Sequence, residues 1–128
     1  MRLLLDTHAF IWFLAGDAAL SQSAVAAILD EGNETYISAA SAWEIATKHR
    51  IGRLSGATAL AADVAGTVAS QGFHELTVTL RHGQLAGALP GPHKDPFDRM
   101  LIAQAMSEAM LIVSNETIFD RYPVTRMW

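Results

Sequence analysis

The chain has 128 residues, 51% of them hydrophobic, and carries a formal charge of −4 at pH 7. That length and apolar content suit one globular domain with a sizeable core and exclude a disordered chain. Cysteine is absent, which excludes disulfides and thiolate metal sites and fits a reducing compartment. The acidic balance is unusual for a protein that touches nucleic acid, although metal-binding carboxylates make a net charge negative without removing a local basic rim.

The apolar run Leu3–Leu5 stops at Asp6, and Ala9–Ala15 falls far short of the roughly 20 residues of a spanning helix. No secretory signal layout follows Arg2. The expectation is a cytoplasmic protein that does not enter a membrane.

Arg2–Leu5 reads as a central strand of a parallel sheet, apolar on both faces. Asp6 then stands at its carboxyl end, where open α/β sheets place ligands; the alternative is that Asp6 or Thr7 only caps a helix over His8–Leu14. Ser21 or Ser23 opens a second helix to about Glu31, with Gly32-Asn33 as its left-handed stop. Thr35–Ser38 is β-branched and aromatic, hence a strand, and Ala39–Arg50 reads as a helix. Within it Glu44 precedes Lys48 by four residues, the spacing of an exposed ion pair, yet it shares a face with Ala40, Ser41 and Thr47, small enough for close approach of another element. Spacing leaves both readings of Glu44 open. Lys48, His49, Arg50 and Arg53 form the densest basic cluster, read either as a solvated helix end or as a phosphate-contacting rim.

Ala57–Ser70 is alanine-rich and reads as one helix, Phe73–Thr77 as a short strand and Leu80–Leu89 as a helix ended by Pro90-Gly91-Pro92. Asp95 is a candidate N-cap and Pro96 fits a first helical residue, so a helix is expected over Pro96–Ala109. Asp98 is out of place there. Leu101, Ile102 and Ala105 follow it at helical spacing, so its carboxylate heads the buried stripe and needs a cationic or hydrogen-bonding receiver. Met110–Ser114 is a further strand with Asn115 and Glu116 at its carboxyl end, followed by a short helix to about Asp120 and an edge strand over Pro123–Trp128.

Alternating strands and helices imply an α/β architecture with a mainly parallel sheet. Its strand ends could gather Asp6, Glu44, Asp98 and Glu116, and four such carboxylates repel unless a cation neutralises them. Without cysteine, and with the histidines outside any metal-ligand spacing, oxygen donors point to a hard divalent ion, Mg2+ or Mn2+. Such an ion can activate water against a phosphodiester.

Leu3–His8, Ser41–Ala46 with Lys48, Asp95–Ala105, and Ile112–Glu116 with Phe119 and Tyr122-Pro123 together resemble the PIN-domain ribonucleases, and more narrowly the VapC-type toxins of prokaryotic toxin–antitoxin pairs. The resemblance implies a three-layer α/β/α sandwich over the whole chain. It implies that Asp6, Glu44 and Asp98 bind the metal and activate water, with Glu116 as a fourth acidic position. Asp95 is assigned to capping and outer-sphere support, and Thr7 and Ser38 to polar support. It further implies an RNA substrate, a homodimer, and an antitoxin whose arginine pairs with the acidic pocket. Lys48, Arg50, Arg53, Lys94 and Arg99 are candidate RNA contacts. The alanine-rich middle and the Phe10, Trp12 and Phe13 segment are candidate contact surfaces, with core packing as the alternative for any one side chain. The competing functions are a PIN-type nuclease of RNA processing or DNA metabolism without a toxin role, and a catalytically silent binding module.

Overall fold

A computed structural model describes residues 1–128. Five strands form one sheet: β1 (Arg2–Leu5), β2 (Glu34–Ser38), β3 (His74–Leu76), β4 (Leu111–Val113) and β5 (Arg126–Met127). Their order is β3-β2-β1-β4-β5, and all four pairings are parallel. Seven helices connect them: α1 (Thr7–Ala15), α2 (Gln22–Leu29), α3 (Ala39–Arg50), α4 (Thr58–Ala62), α5 (Val64–Ser70), α6 (Leu80–Ala88) and α7 (Pro96–Glu108).

The strand side chains divide the core in two, because alternate residues of a strand face opposite sides. Leu3, Leu5, Ile37 and Val113 pack with Phe10, Ala24, Ile28, Ile45 and Val68 on one face. Leu4 and Ile112 pack with Ala86, Leu101, Ile102 and Ala105 on the other. The three-layer sandwich that the resemblance implies is therefore present, and the side chains of Leu3, Leu4 and Leu5 are fully buried. No helix is long and apolar enough to cross a membrane.

Four local expectations change. The helix α2 ends at Leu29, before Glu31; Asp30 caps it in an extended conformation and accepts the N–H of Gly32, so no left-handed pair is needed. The alanine-rich stretch is two helices, broken at Asp63, whose carboxylate accepts the N–H of Gly66 and starts α5. An N-cap inside an alanine run outweighs propensity, since it satisfies a donor that a continuous helix would leave to the preceding turn. The turn after Glu116 is a 3₁₀ turn, Thr117–Arg121. Phe10 is fully buried, so it belongs to the core and offers no contact surface, while Trp12 packs edge-on against Trp128 and Phe13 against Phe73.

The helix α7 runs one turn past its buried stripe and stops at Ala109, which is the one non-glycine residue with positive φ, at 54°. Alanine in that conformation costs roughly 1–2 kcal/mol, and its side chain is exposed, so packing recovers nothing. Replacing Ala109 by glycine is expected to raise the thermal unfolding midpoint, with a net gain of up to about 1 kcal/mol after the extra freedom of glycine in the unfolded chain is counted. A lower midpoint for that variant would refute this account of the helix end.

Candidate active site

The sheet order sets the location. From β1 the chain first builds β2 and β3 on one side and later returns to place β4 and β5 on the other. The carboxyl ends of β1 and β4 thus flank the point where such sheets open a crevice. Asp6 follows β1 directly, and its N–H donates to the carbonyl of Val113 in β4 at 3.1 Å. Its side chain is 3% exposed and accepts the N–H of Ala9 at 2.7 Å. Asp6 therefore caps α1 while standing at the carboxyl end of β1, so the cap leaves a ligand role open. Burial pushes its carboxyl above the ordinary value; hydrogen bonds from Ser114 and Ala9 and the nearby His8 offset this in part, and Glu116 adds to the rise.

Asp98 comes from the opposite wall. Asp95 accepts its N–H at 3.0 Å, so Asp95 caps α7 and Pro96 occupies the first turn, as the sequence suggests. Leu101, Ile102 and Ala105 are buried below it. The group that receives the Asp98 carboxylate is a loop histidine that no local pattern marks: Nε2 of His93 lies 2.7 Å from Oδ2. One donor atom each from His93, Asp98 and Glu116 lie within 4.8 Å of one another, close enough to share a metal ion. The histidines have no metal-ligand spacing along the sequence, yet the fold brings His93 to the carboxylates. Spacing along a helix or strand could not reveal this, because His93 sits in the loop between Pro92 and Lys94 and is brought back by the fold. Burial, opposed by the His93 hydrogen bond and reinforced by Asp95 and Glu116, pushes the Asp98 carboxyl up to about 7.

Glu44 enters from α3 and is 3% exposed. Thr7 donates to its Oε1 at 2.6 Å, and Lys48 holds Oε2. Both sequence readings of Glu44 hold together: the i,i+4 ion pair exists, and it is at the close-approach face instead of in solvent. Partial burial works against the Lys48 charge, but Glu44, Asp95 and Asp98 outweigh it and hold the ammonium above its ordinary value. Lys48 thus lies within the field of the acidic cluster. Ser38 stands further back: it accepts the N–H of Ala40 at the start of α3 and donates to Gln104 of α7, joining the two helices that carry Glu44 and Asp98.

Of the basic candidates, Arg50, Arg53 and Lys94 are exposed and Lys48 is half-buried. Arg99 is a correction. Its guanidinium donates to the carbonyls of Ala86, Leu89 and His93, so it fastens the end of α6 and the following loop, and its donors are not turned to a phosphate. Two further contributors were not singled out from the sequence: Ser114, which is fully buried, bonds Asp6 and accepts the N–H of Glu116, and His8, whose Nδ1 is 3.7 Å from Glu116.

Comparison with solved structures gives the same fold. The chain resembles VapBC2 of Rickettsia felis bound to a promoter DNA fragment, with a TM-score of 0.72 at 14% identity, covering 100% of this chain and 99% of that one. It resembles DNA-bound VapBC of Salmonella typhimurium with a TM-score of 0.70 at 18% identity, covering 99% and 97%. A toxin–antitoxin complex from Klebsiella pneumoniae matches with a TM-score of 0.60 at 16% identity, covering 90% and 87%. No curated protein matches the sequence. The family model described as PIN domain matches residues 3–124, which contain every acidic residue of the crevice, and the chain belongs to the PIN domain family.

Proposed function

We propose that this protein is a cytoplasmic, divalent-metal-dependent endoribonuclease of the VapC toxin kind, using Mg2+ or Mn2+, dimeric, and held inactive by an antitoxin protein. The observation that carries the reading is the meeting of His93, Asp98 and Glu116 donor atoms within 4.8 Å, beside Asp6, at the carboxyl end of the sheet. The donor set suits a cation: Asp98 resists ionisation there because it is withdrawn from water and, to a lesser degree, because Asp95 and Glu116 stand near it, and a positive ion reverses that cost. Family membership supports a nuclease, and the VapBC and toxin–antitoxin complexes of the same fold support an antitoxin partner.

Asp98 and Glu116, whose oxygens lie in the cluster, would hold the cation together with Asp6, which neighbours Glu116, and Asp95 would give outer-sphere support. A divalent ion so held supplies a water of lowered pKa and a counter-charge for the phosphate under attack. Glu44 is held in one orientation by Thr7 and Lys48, and its carboxylate would be the proton acceptor of the site. Arg50, Arg53 and Lys94 are free to meet the phosphates of the flanking nucleotides.

Purified protein is expected to cut RNA with Mg2+ or Mn2+ and to stop in excess chelator. Asp98→Asn and Glu44→Gln should each lower the rate by at least about 100-fold, the upper end of what a supporting residue costs. Chelator-resistant cleavage, or full activity in Asp98→Asn, would overturn the mechanism. Induced expression should arrest growth, relieved by co-expression of a small neighbouring partner protein; RNA cleavage without arrest would favour a PIN nuclease with no toxin role.

Acidity provides a separate check. In the unfolded chain an aspartate titrates near pH 4, whereas Asp98 in the fold titrates at about 7. The folded state holds that proton more tightly, so metal-free stability falls as pH rises from about 4 to about 7 and stays reduced above. Asp98→Asn is therefore expected to unfold at a higher temperature than the parent at pH 8, with the gain fading by pH 4. Added Mn2+ should raise the parent's midpoint and leave the variant's nearly unchanged.

A further inference from the structure

We propose that His93 is a direct ligand of the catalytic cation beside the carboxylates already named, so that the centre is a mixed nitrogen–oxygen site and not one of oxygen donors alone. The inference rests on the reading that a divalent ion occupies this crevice, and it concerns which atoms hold that ion.

Three observations carry it. The first is distance. Nε2 of His93 and Oδ2 of Asp98 are 2.7 Å apart, and neighbouring ligands of an octahedral ion with bonds of about 2.1 Å lie roughly 3 Å apart. A shift of a few tenths of an ångström converts the pair from hydrogen-bonded partners into adjacent ligands, and the hydrogen they share passes to solvent as the cation enters.

The second is that His93 is fixed independently of Asp98. Its N–H donates to the Tyr122 hydroxyl at 3.0 Å, and its carbonyl accepts from Arg99 at 3.0 Å. Its ring meets Phe119 edge-on. Gly91, at φ +119°, lies so close to the Tyr122 ring that a Cβ there would stand 2.7 Å from it. The loop is thus tied down at both ends, with the imidazole directed at the carboxylates.

The third is charge. Asp98 already feels Asp95 and Glu116, and Asp6 feels Glu116. Another carboxylate would deepen that repulsion, whereas a neutral imidazole adds a donor without adding charge. Imidazole also shifts preference from Mg2+ towards first-row transition ions.

The test is pulsed EPR on the full chain loaded with Mn2+ alone. Wild-type protein should show nitrogen modulation typical of a coordinated imidazole. His93→Gln and His93→Phe should lose it, with Mn2+ affinity falling at least about tenfold, the smaller loss seen even for supporting residues, and with Mg2+ affinity changing much less. His8→Gln, altering the other histidine near Glu116, should keep the signal. A wild-type spectrum without nitrogen coupling, or a signal lost only in His8→Gln, overturns the proposal whether or not the His93 variants fold. In that case His93 only positions Asp98. RNA cleavage is scored apart: nitrogen ligation in a protein that leaves RNA intact supports this assignment and defeats the nuclease reading, while Mn2+-dependent cleavage without nitrogen coupling does the reverse.

Discussion

Like charges withdrawn from water and held together are the constraint on which this structure turns. Asp6 and Asp98 each interact with Glu116 near the carboxyl ends of β1 and β4, and burial is the largest force raising the pKa of both aspartates. A fold does not collect such groups for stability, because desolvated carboxylates favour their neutral form. The surrounding structure must therefore compensate. The apolar sheet supplies most of it, with Leu3, Leu4 and Leu5 buried on both faces directly beneath Asp6. Caps supply the rest: the acids that trouble the crevice also start α1 and α7.

The polar groups around the crevice are fully matched. No buried side-chain nitrogen or oxygen lacks a partner, even though nine polar or charged residues are buried. Ser38, Gln104 and His82 form one connected set between α3, α6 and α7. Thr7, Ser41 and Glu44 form another between α1 and α3. Networks of this kind are costly when incomplete and rigid when complete. Here they hold the helices that deliver Glu44 and Asp98 at a set separation, which is what a centre with several ligands from distant parts of the chain requires.

The sequence made the frame of this arrangement legible and hid its joinery. The strands over Arg2–Leu5 and Glu34–Ser38 and the helix Ala39–Arg50 announce themselves through composition and period, because long apolar patterns report burial whatever their neighbours do. Asp98 was conspicuous for the same reason, as a charge on a buried stripe. His93 was not, since a loop residue acquires neighbours only through the fold. The positive charge of Arg99 suggests phosphate, while its partners are backbone carbonyls that no side-chain pattern records. Asp63 broke an alanine-rich helix that propensity alone would have continued. Local pattern thus identified which groups are costly, and long-range contact decided what relieves them.

The two margins of the sheet bear on how this molecule can join others. β3 spans three residues and β5 two, and on β5 the Arg126 side chain is tied to Asp120 and to the Ser114 carbonyl. Edges that short offer little backbone for another chain to extend the sheet. Assembly, with a second copy or with a different protein, is thereby steered onto the helical faces, and a visiting segment would be recognised by its side chains more than by a strand ladder. The same economy that discourages edge-to-edge aggregation leaves the helices as the surface on which partner choice can diverge.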